Sequence, residues 1–384
     1  MTASSKLLDL STAERESLGL VHTLREILQQ PQTWRGTYQK VQSFSGPITE
    51  FLSGAGTNRP PNVFLVGAGT SDYIGKSVCA LLQRNWLCNV EAVPSTDLLT
   101  NMEDHVISDR DYLWISFSRS GDSSEGVAVL EQAVTQFPLV KHLIVTCNQN
   151  GRMARAFKNE KNVLSFVLDD EVNDRGLAMT SSFSNMVIAA QALAHLRTLA
   201  EYGAVVESLA MSASRVLPAA MSVCELVVGQ GFSKACFLGA GPLKGAAIES
   251  ALKVLELTGG RVIGFAESFL GLRHGPLSAV DSDTLVVAFL SADSRRRAFE
   301  MDLVKEIDDK KLTGKFLIVA PTDVKDNSLS LHLSEPVSDL YLPPLFVLAG
   351  QVLGLSASLR EGLRPDEPSP RGAISRVVSH VTIY

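Results

Sequence analysis

Residues Ser118-Arg119-Ser120-Gly121-Asp122-Ser123-Ser124 crowd four hydroxyls, a guanidinium and a carboxylate into seven positions. They follow an apolar run, Tyr112 to Phe117, that reads as a buried strand. They precede Glu125 to Ala133, which reads as a helix. A loop at that junction meets the unpaired N–H groups and the positive dipole end of the helix, and both attract an anion. Serine hydroxyls donate further hydrogen bonds to phosphate oxygens, Arg119 adds charge, and Gly121 lets the backbone turn tightly or approach a ligand. A second reading also fits: a plain helix start, with Asp122 and Glu125 at capping-box-like spacing.

The elements that would position this loop occur twice. Asn62 to Gly69 resembles Ala235 to Gly241, Asp111 to Phe117 resembles Asp283 to Phe289, and Lys141 to Thr146 resembles Lys315 to Ala320. The offsets are 173 (Phe64 to Phe237), 172 and 174 residues, a near-constant period that indicates internal duplication. Each copy reads strand, glycine turn, helix, strand, helix, strand. Continuous apolar strands alternating with helices predict a parallel sheet covered on both faces. Ligands of such sheets bind beyond the strand C-termini. In the first copy those ends are Gly67 to Asp72, Ser118 to Ser124 and Cys147 to Asn150. The second copy keeps Gly239-Ala240-Gly241 but has Ser291-Ala292-Asp293-Ser294-Arg295-Arg296-Arg297 for the serine loop. The copies are therefore expected to differ in role, the first holding the anion.

The bulk numbers limit the remaining possibilities. The chain has 384 residues, which predicts two domains. Hydrophobic residues make up 45% and charged residues 20%, which excludes a disordered chain. A net charge of −6 gives no global attraction for nucleic acid or an anionic membrane, so a phosphorylated ligand must be held by local donors. Cys79, Cys88, Cys147, Cys224 and Cys236 form no C-x-x-C pair and read as free thiols in a reducing compartment. No histidine cluster has metal-ligand spacing. The first nine residues lack the apolar core of a signal peptide. The most membrane-like stretch, Leu340 to Ala357, contains Pro343-Pro344 and reads as a buried helix starting near Pro344. A soluble cytoplasmic protein is expected. The predicted boundaries are a helical segment over 1–55, with Ser11 and Glu14 capping its start, a first domain over 56–215 and a second over 216–384. Gly54 to Pro61 reads as the boundary loop, a helical stretch from about Met186 to Val227 joins the copies, and Gly362 to Gly372 reads as a lid or strap.

The glycine turn with Thr70-Ser71 and the Ser-x-Ser-Gly loop resemble the sugar isomerase (SIS) domain family from about residue 50 onward. The duplication is similar to the isomerase half of glucosamine-6-phosphate synthase. Thr96 to Asn101, Asp174 to Ser182, Glu249 to Thr258 and Arg273 to Pro276 resemble the tagatose-6-phosphate ketose/aldose isomerases, also described as galactosamine-6-phosphate deaminase/isomerases. The resemblance implies two tandem SIS domains, each an α/β flavodoxin-like three-layer sandwich. It implies phosphate binding by Ser71, Ser118, Arg119, Ser120 and Ser123, with Arg119 standing where the synthase has glutamine. It implies Glu249 as the base moving a proton between C1 and C2, and His274 as the ring-opening residue, supplied across a subunit interface in the synthase. Thr70, Asp174, Ala178, Thr180, Ser181 and Arg376 fall at sugar-binding positions. Arg376 stands where the synthase has a lysine; arginine does not readily deprotonate or form a Schiff base, so a positioning role is implied.

Simpler readings of these residues stay open. Glu249 is spaced for an i,i+4 pair with Lys253. His274 sits in a loop, where surface histidines also occur. Asp174 could hold sugar hydroxyls or an amine, or pair with a nearby arginine. The expected reaction is galactosamine 6-phosphate plus water to tagatose 6-phosphate plus ammonia, with no metal or organic cofactor. The expected partners are a sugar phosphate and a second copy of the chain with shared active sites, not nucleic acid or membrane. The alternatives are a simple hexose-6-phosphate aldose–ketose isomerase and a non-catalytic sugar-phosphate sensor.

Overall fold

The computed structural model describes residues 7–53, 61–107, 109–322, 328–369, 372, 374–378 and 381–384. Four helices come first: α1 (Thr12–Leu18), α2 (Val21–Leu28), α3 (Gln30–Ser43) and α4 (Ser45–Ser53). The predicted cap is present, since Ser11 Oγ accepts the Glu14 N–H at 3.3 Å and Glu14 accepts the Ser11 N–H at 2.7 Å. The chain continues through β1 (Asn62–Gly67), α5 (Thr70–Trp86), β2 (Val90–Pro94), α6 (Ser95–His105), β3 (Tyr112–Ser118), α7 (Ser124–Gln136), β4 (Lys141–Thr146), α8 (Arg152–Ala156) and β5 (Val163–Val167). Then come α9 (Ser181–Leu193) and α10 (Leu199–Gly229). The second set is β6 (Lys234–Leu238), α11 (Pro242–Leu257), β7 (Ile263–Glu267), α12 (Phe269–Leu272), β8 (Thr284–Phe289), α13 (Ser294–Asp309), β9 (Phe316–Ala320), β10 (Ser328–Ser330) and α14 (Pro343–Arg360). The predicted boundary loop, Gly54 to Pro61, falls almost wholly outside the described residues.

These elements form two compact units. The first-sheet unit comprises Thr33–Asn173, Ser181–Ala204 and Ser375–Tyr384; the second-sheet unit comprises Met1–Gln32, Asp174–Thr180 and Val205–Ile374. Each holds one parallel five-stranded sheet flanked by helices. The orders are β2-β1-β3-β4-β5 and β7-β6-β8-β9-β10, the same topology twice. The register repeats as well: Asn62 pairs with Tyr112, and Lys234 with Thr284. Both registers share one stagger, so a single offset serves both pairs of strands; the matching positive-φ turns at Gly69 and Gly241 set it at 172, so Phe64 corresponds to Cys236 and the Phe64–Phe237 match is one residue out of step. The central strands β3 and β8 are buried along their whole length, as their unbroken apolar runs require.

One helical reading is revised and another holds. The stretch from Met186 to Val227 is two helices: α9 starts earlier, at Ser181, and Ala194 and His195 close i→i+3 turns before α10 begins. The apolar stretch near residue 344 is α14, which begins on Pro343-Pro344 and is buried from Pro343 to Ser358. It packs on α11 so closely that a Cβ on Gly350 would lie 2.2 Å from Ser250 Cβ. Among the described residues α10 has the length and apolarity of a membrane span, with half of that window buried. All five cysteines are free.

Candidate functional site

In the first sheet the strand order reverses between β1 and β3, so the loops after these two strands flank the crevice where open α/β sheets bind ligands. After β1 the chain turns through Gly69 at φ +55°. Gly67 lies against the first turn of α5, where a Cβ would meet the Ser71 carbonyl carbon at 2.4 Å. Thr70 and Ser71 open α5, and both are buried.

The loop after β3 is braced from within and from behind. Ser118 Oγ accepts the Gly121 N–H at 3.0 Å, and Ser120 Oγ accepts the Asp122 N–H at 3.2 Å. Each hydroxyl so anchored keeps its own proton to donate. Gly121 has φ +64°, in the left-handed region. Asn148 Nδ2, beyond β4, donates to the Ser120 carbonyl at 2.8 Å, and the Met153 N–H donates to the Gly121 carbonyl at 2.9 Å. The capping-box reading of Asp122 is corrected. Ser123 is the N-cap residue, and Asp122 accepts instead from the Arg152 N–H at 2.8 Å and from Asn148 Nδ2 at 3.3 Å. Arg119 is buried, and its guanidinium donates to the Arg376 carbonyl. Arg376 in turn donates from Nη2 to Asn173 Oδ1 at 2.8 Å. The structure thus brings together Thr70, Ser71, Ser118, Arg119, Ser120, Ser123 and Arg376 in the first-sheet unit. Ser181 belongs to the same unit, opening α9, with its carbonyl accepting from Asn185 Nδ2 at 2.8 Å.

The second-sheet unit holds Glu249, His274, Asp174, Ala178 and Thr180. Gly241 opens α11 with φ +56° and ψ −129°, close to the φ +55° and ψ −125° of Gly69. Two turns on, Glu249 is fully buried, with its Oε1 3.2 Å from Lys253 Nζ, which is also fully buried. Lys253 reaches Glu256 Oε2 at 2.5 Å as well. Burial acts to lower the lysine pKa, but the carboxylates of Glu249 and Glu256 outweigh it and the net shift is upward. The ion pair suggested by the spacing is therefore formed, between two fully buried side chains.

Asp174 is fully buried and accepts the Thr180 N–H at 2.9 Å and the Thr180 hydroxyl at 3.1 Å. Ala178, between them, is buried. His274 is exposed in the turn after α12, next to Arg273, whose guanidinium is held by Glu306 and Asp302 at 2.7 Å each. Two positioning residues were missed in the sequence. Glu26 on α2 accepts the Arg175 N–H at 2.5 Å and the Gly176 N–H at 3.3 Å. Burial first, and Asp174 second, push its pKa up to about 7. Its signal was a carboxylate on the apolar face of α2, beside Thr23 and Ile27, which are also buried. Asp366 accepts the His22 and Thr23 N–H groups at 3.1 and 2.7 Å, and Arg364 donates to the Ser17 carbonyl at 2.7 Å. The tail around residue 366 therefore straps α1 and α2 within this unit. Among the described residues no group of three or more His, Cys, Asp and Glu could hold a metal ion.

The SIS domain family model matches residues 58–196. The chain is 38% identical to AgaS of Streptomyces coelicolor over 371 residues, 95% of each chain. It is 34% identical to the D-galactosamine-6-phosphate deaminase AgaS of Escherichia coli O157:H7, over 94% of this chain and 95% of that one. The crystal structure of tagatose-6-phosphate ketose/aldose isomerase from Escherichia coli superposes with a TM-score of 0.86 at 33% identity, covering 94% of this chain and 96% of the other.

Proposed function

The chain belongs to the SIS-domain sugar isomerase family, in the group of AgaS and the tagatose-6-phosphate ketose/aldose isomerases, and from that premise we propose that it is a deaminating isomerase of an amino-sugar phosphate. The reaction is galactosamine 6-phosphate plus water to tagatose 6-phosphate plus ammonia. The braced serine loop at the switch point of the first sheet is the observation that carries this reading, because it offers oriented hydroxyls and N–H groups to a phosphate.

In this account Ser71, Ser118, Ser120 and Ser123 bind the phosphate, with Arg119 supplying charge and Arg376 steadying it through its carbonyl. Thr70, Asp174, Ala178, Thr180 and Ser181 shape the sugar site, and His274 moves the ring-opening proton. Glu249 removes the C2 proton and returns it to C1, giving a C2 imine. Water adds to the imine and ammonia leaves. The phosphate, remote from C1, supplies binding energy that orients the reacting carbons. A plain aldose–ketose isomerase runs the same proton shift without ammonia loss, as the name of the Escherichia coli structure implies for that protein.

The two repeats of the fold are read as tandem SIS domains, 56–215 and 216–384, after a helical segment over 1–55. The protein is read as a cytoplasmic homodimer that shares its active sites, with a sugar phosphate and not nucleic acid or membrane as its ligand. The test is a panel of hexosamine and hexose 6-phosphates read for both ammonia and ketose. Equimolar ammonia and tagatose 6-phosphate from galactosamine 6-phosphate support the proposal. Ketose from galactose 6-phosphate, without ammonia from any hexosamine phosphate, establishes the plain isomerase instead.

A further inference from the structure

The loop after β8 is the counterpart of the serine loop in the repeated topology, and it already contains an anion. From Phe117 the first loop runs six residues to its N-cap Ser123, whereas from Phe289 the second runs four to its N-cap Asp293. Around the shortened loop three donors converge on one carboxylate, that of Asp339. The Ser291 hydroxyl donates to its Oδ2, the Ala292 N–H donates to its Oδ1 at 2.7 Å, and Arg296 Nη1 lies 3.0 Å from Oδ2. Asp339 is buried, in the short 3-10 turn that leads into α14. A hydroxyl, a main-chain N–H and a guanidinium are the donor types that a phosphate draws on.

We propose that this loop is an anion cradle plugged by the chain's own Asp339, so that the second-sheet unit is closed to phosphate esters while that carboxylate is in place. The remaining contacts fit a site shaped around a fixed negative charge. Arg297 Nε donates to the Ser291 carbonyl at 2.7 Å, which holds the loop closed behind Asp339. Glu300 Oε2 accepts the Ser291 N–H at 2.7 Å, while its Oε1 is buried without a hydrogen-bond partner. The duplicated fold thereby keeps one phosphate site, in its first copy, and uses the second copy's loop to anchor the start of α14.

The test is Asp339→Ala titrated with inorganic phosphate by calorimetry, with Asp339→Asn as the control that keeps the cradle filled. The expected result is one more phosphate bound per chain in Asp339→Ala than in the wild type, with no gain in Asp339→Asn. A folded Asp339→Ala that binds no more phosphate than the wild type overturns the proposal. If that variant does not fold, Asp339→Ala/Glu300→Gln removes the buried acid beside the loop as well, and its refolding yield is compared with and without phosphate. A several-fold gain supports the plug, and no gain over the effect on wild type overturns it. Neither readout uses turnover, so the result stands whatever substrate the enzyme takes.

Discussion

Lys253 Nζ lies 3.2 Å from Glu249 Oε1, one turn along α11, and neither side chain is exposed. Breaking a buried pair by removing one partner costs about 3–5 kcal/mol, because the other charge is left in a dry setting. Lys253→Met is expected to lower stability by that order. Glu249 also loses the charge that favours its ionised form, so the acidic limb of the pH–rate profile moves to higher pH. Urea denaturation and the pH dependence of ammonia release check the two halves. A stable variant with an unshifted profile would show that Lys253 neither supports nor tunes Glu249.

The shape of the serine loop depends on close approach to Gly151. A Cβ there would lie 2.5 Å from the Ser120 carbonyl oxygen and 3.0 Å from Gly121 Cα. Gly151→Ala must displace the loop, at about 1–3 kcal/mol. The expected outcome is a KM for the sugar phosphate raised about tenfold or more with kcat less affected, measured by steady-state kinetics.

Glu300 gives stability a pH dependence of known sign. Burial pushes its pKa from 4.5 to about 7, so in that window the folded state holds a proton that the unfolded chain has released. Wild-type stability is therefore expected to fall, relative to Glu300→Gln, as pH rises from about 4.5 to about 7. The difference is on the order of 3 kcal/mol. His142, whose pKa burial lowers to about 4, acts in the opposite direction in both proteins and cancels in the comparison. Urea midpoints of the two proteins across the window measure it.

His274 is exposed in its turn, which suits a residue offered to a neighbouring subunit. Mixing inactive His274→Ala and Glu249→Gln chains is expected to regenerate activity, up to about one quarter of wild type for random dimers with one restored site in each mixed dimer. No recovery in mixtures that demonstrably exchange subunits would place both residues within one chain's site.

The central strands and the loops that follow them were legible because burial on both faces leaves unbroken apolar runs, as in Tyr112 to Phe117 and Thr284 to Phe289. The outer strands were not. β2, β5, β7 and β10 are half-covered, and their mixed composition carries no such run. The Glu249–Lys253 pair was readable from helical spacing. Its dryness was not, since it depends on α14, about a hundred residues further on, packing against α11. Glu26 and Asp366 were missed for a related reason: they act on Arg175, Gly176, His22 and Thr23 through contacts remote in sequence.

The most direct measurement of the central claim is ammonia release by Glu249→Gln, with galactosamine 6-phosphate binding measured on the same protein. General acid–base groups contribute roughly 100- to 10,000-fold. The account predicts a fall in turnover within that range while the phosphorylated sugar still binds as in the wild type. Turnover within about threefold of wild type would contradict it.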